Sequence, residues 1–223
     1  MMGTVELEAT VREGAWPAWA RFAQLIAGLV LYGTSQALLV RARLGLDPWD
    51  VFHQGLHRQT NLAIGTWTII VGAAVLLLWI PLRQRPGVGT VCNVVLIGLS
   101  LNAILGVLPT PHAMAVRWVF LLAGIVLCGV ATGAYIGADM GPGPRDGLMV
   151  GLAARGHSLR LVRTAIEVTV LVTGFLLGGT IGVGTVLFAV TIGPIAHVTI
   201  PALSRRRRPP APRTIGSLAC ASD

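Results

Sequence analysis

Residues 21–56, RFAQLIAGLVLYGTSQALLVRARLGLDPWDVFHQGL, align without a gap to residues 117–152, RWVFLLAGIVLCGVATGAYIGADMGPGPRDGLMVGL, and this pairing decides the fold. Of the 36 paired positions 13 are identical, among them Gly28 with Gly124, Gly33 with Gly129, Gly45 with Gly141, Pro48 with Pro144, Asp50 with Asp146 and Gly55 with Gly151. The offset is 96 residues here and 95 farther on, where GVGTV at 87–91 recurs at 182–186, followed by Ile97 with Ile192 and Gly98 with Gly193. The chain therefore reads as two copies of one unit, with one residue lost between the blocks.

What each unit contains follows from composition. Over 223 residues, 54% are hydrophobic and 12% charged, with a mean hydropathy of +0.74. That is far from a soluble domain. Six mainly apolar runs approach the roughly 20 residues a membrane-spanning helix needs: Trp19 to Val40, Leu62 to Leu82, Val88 to Leu108, Val116 to Ile136, Leu161 to Leu177 and Gly182 to Leu203. Each copy holds three, and because three is odd the second copy must enter the membrane from the opposite face. The expected fold is an all-α integral membrane protein of six transmembrane helices in two inverted three-helix repeats, each with a short half-helix or interfacial helix after its first span.

The expected division is a cytoplasmic tail over 1–18, repeats over 19–112 and 113–204, and a basic, disordered tail over 205–223. With both termini inside, 13 of the 17 arginines lie on the cytoplasmic side, and Arg41, Arg43, Arg58 and Arg117 lie outside. The bias comes mainly from the second half. The block Arg205, Arg206, Arg207 and Arg208 follows the last run, where it would meet anionic lipid headgroups. Despite the formal charge of +8, no nucleic-acid signature accompanies it. The first residues, with Glu6, Glu8, Arg12 and Glu13, lack the pattern of a secretory signal. Cys92, Cys128 and Cys220 have neither metal nor disulfide spacing and read as small apolar residues.

The duplicated element after each first span has its own grammar. Asp47, Pro48 and Asp50 fit an N-cap, a proline at the first helical position and an acid facing the free amides of the first turn. In the second copy Gly143 stands at the cap, with Pro144 and Asp146 in the same places. Such helices either lie in the interface or dip in as re-entrant half-helices, tolerated at depth only when buried in protein or lining water.

LGLDPWDVFHQGL, GPGPRDGLMVGL and GVGTVLFAVTIGP, in this order along the chain, resemble the YczE branch of the YczE/YyaS/YitT family of bacterial integral membrane proteins, from about Arg21 to Leu203. The resemblance implies a place in the bacterial cytoplasmic membrane and a multi-pass topology. It implies no particular substrate.

Polar groups within or beside the runs are the functional candidates. Asp50 and Asp146 are either helix-start acids or a pair of equivalent carboxylates binding a cation or carrying protons between the repeats. Glu167 is expected to pair with Arg163 one turn earlier; an interhelical partner or a proton-linked role is the alternative. Asn93, Asn102 and His197 lie in the third and sixth runs, with Asn102 matched to His197 at the 95-residue offset. His53 and His57 share a helical face, yet no further ligand completes a metal site. Gly129, Gly133 and Gly137 form successive GxxxG steps, whose partner is either the first span of the same molecule with its Gly28 and Gly33 or another protomer; packing within the molecule is expected. Trp16, Trp19, Trp79 and Trp118 read as interface anchors.

No nucleotide loop, nucleophile with its base or metal-hydrolase pattern occurs, so an enzyme is not expected, nor a cofactor. The expected function is transport of a small solute or ion at a site between the repeats, formed by Asp50, Asp146, Glu167, Asn102 and His197. The alternative is a non-transporting membrane scaffold or regulatory protein.

Overall fold

Helix ends follow the chemistry of the chain. In the computed structural model, which describes residues 16–204, α1 (Ala18–Ala42) starts after Pro17 and stops where Arg43 turns left-handed at φ 53°. Helix α2 (Pro48–Thr60) is capped by the Asp47 carboxylate, which accepts the Asp50 N–H, and it ends at Asn61, φ 59°. Then come α3 (Ile64–Leu82), α4 (Val88–Val107), α5 (Met114–Gly137), α6 (Pro144–Ala153), α7 (Leu159–Leu176) and α8 (Val183–Leu203). Every regular element among the described residues is a helix. Arg205 to Arg208, Cys220 and nearly all of both tails lie outside the described residues.

Five helices, α1, α3, α4, α5 and α8, are long and apolar enough to cross a membrane. The fifth expected run forms a helix, α7, which is not among these five, and its 18 residues include Arg160, Arg163 and Glu167. At 1.5 Å per residue it is also about 27 Å long, just under the thickness of a hydrocarbon core.

The centre is the crossing of α1 and α5, two helices brought together by glycine. A Cβ at Gly28 would come within 2.9 Å of the Tyr135 amide nitrogen, and one at Gly124 within 3.2 Å of the Ser35 carbonyl oxygen. Helix α1 then packs on α4 through Gly33, and α5 packs on α8. The GxxxG stripe serves that last contact: Gly129 faces Ile195, Gly133 faces Thr199 and Gly137 faces Leu203. The partner is therefore the last helix of the same chain, not the first; Gly28, one of the first helix's own glycines, is what meets α5.

Other contacts cross between the halves in matched pairs. Gly174 of α7 lies against the backbone of Phe52 in α2, while Gly147 of α6 lies under the Trp79 ring of α3. Arg21 Nε donates to the Ala138 carbonyl at 2.9 Å, and Arg117 Nε donates to the Ala42 carbonyl at 2.8 Å. The Gly89 N–H bonds Met140 O at 2.8 Å, and the Gly184 N–H bonds Leu44 O at 2.7 Å. Gly45 and Gly141, at φ 118° and 122°, press against Gly182–Thr185 and Gly87–Thr90 respectively. In every pair the second contact is the first with one residue advanced and the other set back by 95 or 96.

One pair breaks the pattern. Helices α3 and α4 are in close contact, with the Gly98 position 2.3 Å from Gly65 O for an added Cβ, whereas nothing lies within 4 Å of the same point at Gly193 of α8. Helix α7 scarcely touches α8. The sequence supplies the reason: at the 95-residue offset Gly65 is replaced by Arg160, too bulky for a backbone-to-backbone approach. Asn102 completes the closed side, accepting the Gly65 N–H at 2.9 Å and donating to Thr66 Oγ1 at 3.3 Å.

Trp79 corrects one sequence expectation. It is 2% exposed and its indole N–H donates to Pro144 O at 3.1 Å, so it packs a core and does not anchor an interface. Trp16 and Trp19 are exposed.

Candidate functional site

Both short helices begin inside the bundle and end at its rim. Asp47, Trp49 and Asp50 are buried, whereas Arg58 to Thr60 are exposed; Gly143 and Pro144 are buried, whereas Ala154 to Ser158 are exposed. An extended connection carries the chain inward after α1 and after α5, and the proline at the first helical position turns it back without losing a needed N–H. The two starts converge. The Arg145 guanidinium lies 4.7 Å over the Trp49 ring, a cation–π contact between residues that correspond under the 96-residue offset.

Beside this junction the gap between α7 and α8 opens into a cavity of about 540 Å³. Asp47, Trp49, Arg145 and Asp146 form its deep end, Tyr32 and Tyr135 flank them, and Arg163, Glu167 and His197 lie along its walls. Asp146 accepts the Tyr135 hydroxyl at 2.7 Å. Arg163 Nε donates to Glu167 Oε1 at 2.9 Å, an ion pair within α7. A second cavity, at the opposite end, is lined by Arg41, Arg58, His57 and Asn102 and stops short of the half-helix starts.

Of the five sequence candidates, three meet in one place: Asp146, Glu167 and His197 line the cavity between α7 and α8. Asn102 lies in the second cavity, and Asp50 lines neither. Asp50 is wholly buried behind the cavity wall, where its Oδ1 accepts Gln36 Nε2 at 3.0 Å and faces His53 Nδ1 at 3.2 Å. His53 and His57 do not act together, since His57 Nδ1 faces Leu62 O at 2.6 Å. Among the described residues no three His, Cys, Asp or Glu side chains group as metal ligands. Cys128 is buried and Cys92 partly so, both as free thiols.

Burial dominates the electrostatics of α2, which is not a spanning helix. It raises the Asp47 carboxyl to about 7, with the Asp50 charge adding and Arg145 opposing. Asp50 is raised to about 6, again by burial against Arg145. His53 is lowered to about 3 by burial and then by Arg145, so its ring is neutral.

Sequence reasoning passed over Arg145, Tyr135, Gln36 and Thr68. A signal for Arg145 was available: where two copies face each other, residues at equal positions meet at the axis between them, and Trp49 and Arg145 are such a pair.

Comparison with known proteins places these features. The chain is 42% identical over 182 residues to an uncharacterized protein of Haemophilus influenzae, covering 81% of this chain and 84% of that one. It is 33% identical to the uncharacterized membrane protein YczE of Bacillus subtilis, covering 81% and 86%, and 25% identical to YyaS of the same organism, covering 80% and 91%. The resemblance to YczE and YyaS expected from the repeated motifs is thus met, and with it a membrane protein. No solved structure matches the chain. A family model spans residues 19–201, nearly the whole helical body, and the chain accordingly belongs to the family of unknown function DUF6198.

Proposed function

We propose that the protein is a transporter of a small solute or ion in the bacterial inner membrane, built from six spanning helices in two inverted repeats with both termini cytoplasmic. The observation that carries this reading is the contrast between the halves. A cavity of about 540 Å³ reaches the starts of both short helices from one end of the bundle, while the matching gap between α3 and α4, closed in by Gly65, Gly98 and Asn102, leaves a space of only about 70 Å³ beside Thr68, Gly72, Asn93 and Asp146. Inverted repeats that differ only in which gap is open are what alternating access requires: exchanging the two arrangements would close the α7–α8 side and open the α3–α4 side around the same central site.

The paired contacts of Arg21 and Arg117, and of Gly45 and Gly141, support the two-repeat reading. Helix α7 counts as the sixth span because its charges have somewhere to go. Glu167 and Arg163 face the cavity, and Arg160 stands next to the helix start, where it can reach headgroups. The short helices are read as re-entrant, since their buried starts line a cavity. The arginine distribution favours cytoplasmic termini, and on that side Arg205 to Arg208 would meet anionic lipid.

The test is uptake into proteoliposomes across a panel of ions and small metabolites, comparing the native chain with Asp146→Asn and Asp50→Asn. A solute whose flux is reduced in Asp146→Asn is expected. Flux equal to that of protein-free vesicles for every compound would leave the scaffold reading in its place.

A further inference from the structure

Gln36, Asp50 and His53 are each wholly buried, and each keeps one polar atom without a partner: Gln36 Oε1, Asp50 Oδ2 and His53 Nε2. Their hydrogen-bond pattern fixes what kind of partner is missing. The Thr68 hydroxyl donates to Ile64 O at 3.2 Å and so offers its lone pairs to His53 Nδ1, also at 3.2 Å. Nδ1 therefore carries the ring hydrogen, shared between Thr68 Oγ1 and Asp50 Oδ1, and Nε2 is a bare acceptor. Gln36 is oriented by its Nε2 bond to Asp50, which leaves its oxygen open. All three vacancies are acceptors, around a carboxylate. A buried cluster with that deficit lacks hydrogen and positive charge.

We propose that Asp50, with Gln36 and His53, is a proton-binding site, loaded from the cavity between α7 and α8 through Asp47. The proton passes from cavity water to the Asp47 carboxylate, which borders the cavity, and on to Asp50; the carboxylate becomes a neutral acid and returns the proton by the same route. The charged and titratable groups facing it are few. Asp47 precedes the helix, and Arg145 comes from α6. Helix α1 contributes Tyr32 and α5 Cys128, while α3 has no charged residue at all. The acid and arginines of α7 sit toward its start, away from the Gly174 region that packs on α2. Burial favours the proton, while Arg145 and the hydrogen bonds of Asp47 and Gln36 oppose it.

The second repeat has no such site. Gln36, Asp47 and His53 correspond to Thr132, Gly143 and Met149, and Asp146 is instead half-buried with its Tyr135 bond made. The two acids that look equivalent in sequence thus take different parts. As the coupling site of a transporter this rests on the function proposed above, but proton binding itself can be read without any flux.

The test is infrared difference spectroscopy of the full chain in lipid nanodiscs, between acid and alkaline pH. Beside a band from Asp47 titrating near pH 7, a separate buried carboxylic-acid C=O band titrating near pH 6 is expected in the native protein, retained in Asp146→Asn and lost in Asp50→Asn. His53→Leu, which swaps a buried ring for an apolar side chain, removes a donor to the charged form and should raise the midpoint by about one pH unit. The site is overturned if no such band exists, if it persists in Asp50→Asn, or if its midpoint in the native chain and in His53→Leu is the same. A midpoint that moves when sodium replaces choline would also overturn it, in favour of a metal cation. None of these spectra bears on whether a solute is carried, which the vesicle assay decides separately.

Discussion

Adding one methyl group at two corresponding glycines separates the closed gap from the open one. At Gly98 a Cβ would stand 2.3 Å from Gly65 O and 2.5 Å from Ile69 Cγ1. The nearer atom is backbone, so no rotamer change relieves it. A carbon and a carbonyl oxygen approach to about 3.3 Å at closest, so α3 and α4 must part by about 1 Å, and the Asn102 bonds to Gly65 and Thr66 are strained with them. Overpacking of this kind costs about 1–3 kcal/mol, a fall in Tm of roughly 2–12 °C for a chain of this size at about 2–4 °C per kcal/mol. At Gly193 nothing stands within 4 Å of the added carbon, and the change should stay within about 0.5 kcal/mol. Intrinsic tryptophan fluorescence on heating, in one detergent, measures both. Equal losses for Gly98→Ala and Gly193→Ala, or the larger loss at Gly193, would refute the asymmetry and the gate built on it. In vesicles the order should reverse: Gly193→Leu keeps the fold but fills the side that must close, and uptake should fall.

Trp79→Phe removes the indole N–H from Pro144 O while keeping most of the ring contact, and should cost about 1 kcal/mol; an interface anchor would show no such loss in the same thermal assay. Arg21→Gln and Arg117→Gln each release a helix-end carbonyl, at Ala138 and Ala42 respectively, and comparable falls in Tm are expected; an effect confined to one would count against the paired arrangement. Asp50 binds its proton more tightly in the folded chain than in the unfolded one, so its contribution to stability is complete below pH 4 and is lost as pH rises through about 6. Asp47, raised to about 7, adds a decline of the same sign, so melting across pH should fall in the native chain and fall less steeply in Asp50→Asn.

Much of this architecture is legible in the sequence because hydropathy and duplication are one-dimensional signals. Apolar run length locates the helices to within a few residues, and the Pro48 and Pro144 motifs locate the short ones. Run length finds α7 as well, as Leu161 to Leu177, but its arginines and acid make sense only beside a cavity. The site is legible in part. Equal spacing makes Asp50 and Asp146 look alike, and their difference lies in neighbours from other helices, Gln36 and His53 for one and Tyr135 for the other. Trp79 differs from its sequence expectation for a similar reason: its position near a helix end suggests lipid headgroups, but Gly147 of the other half leaves a slot shaped for its ring. The offset says which residues correspond; it does not say which gap stands open.

The interlacing of the halves also bears on biosynthesis. Trp79 finds its slot only in α6, and the Phe52 backbone its close contact only in α7, both of which leave the ribosome after the first half has entered the bilayer. The early half must therefore wait in lipid with its grooves unfilled. A chain interrupted in the 108–113 connection should yield two fragments that mature only when made together, each acting as the other's missing interior.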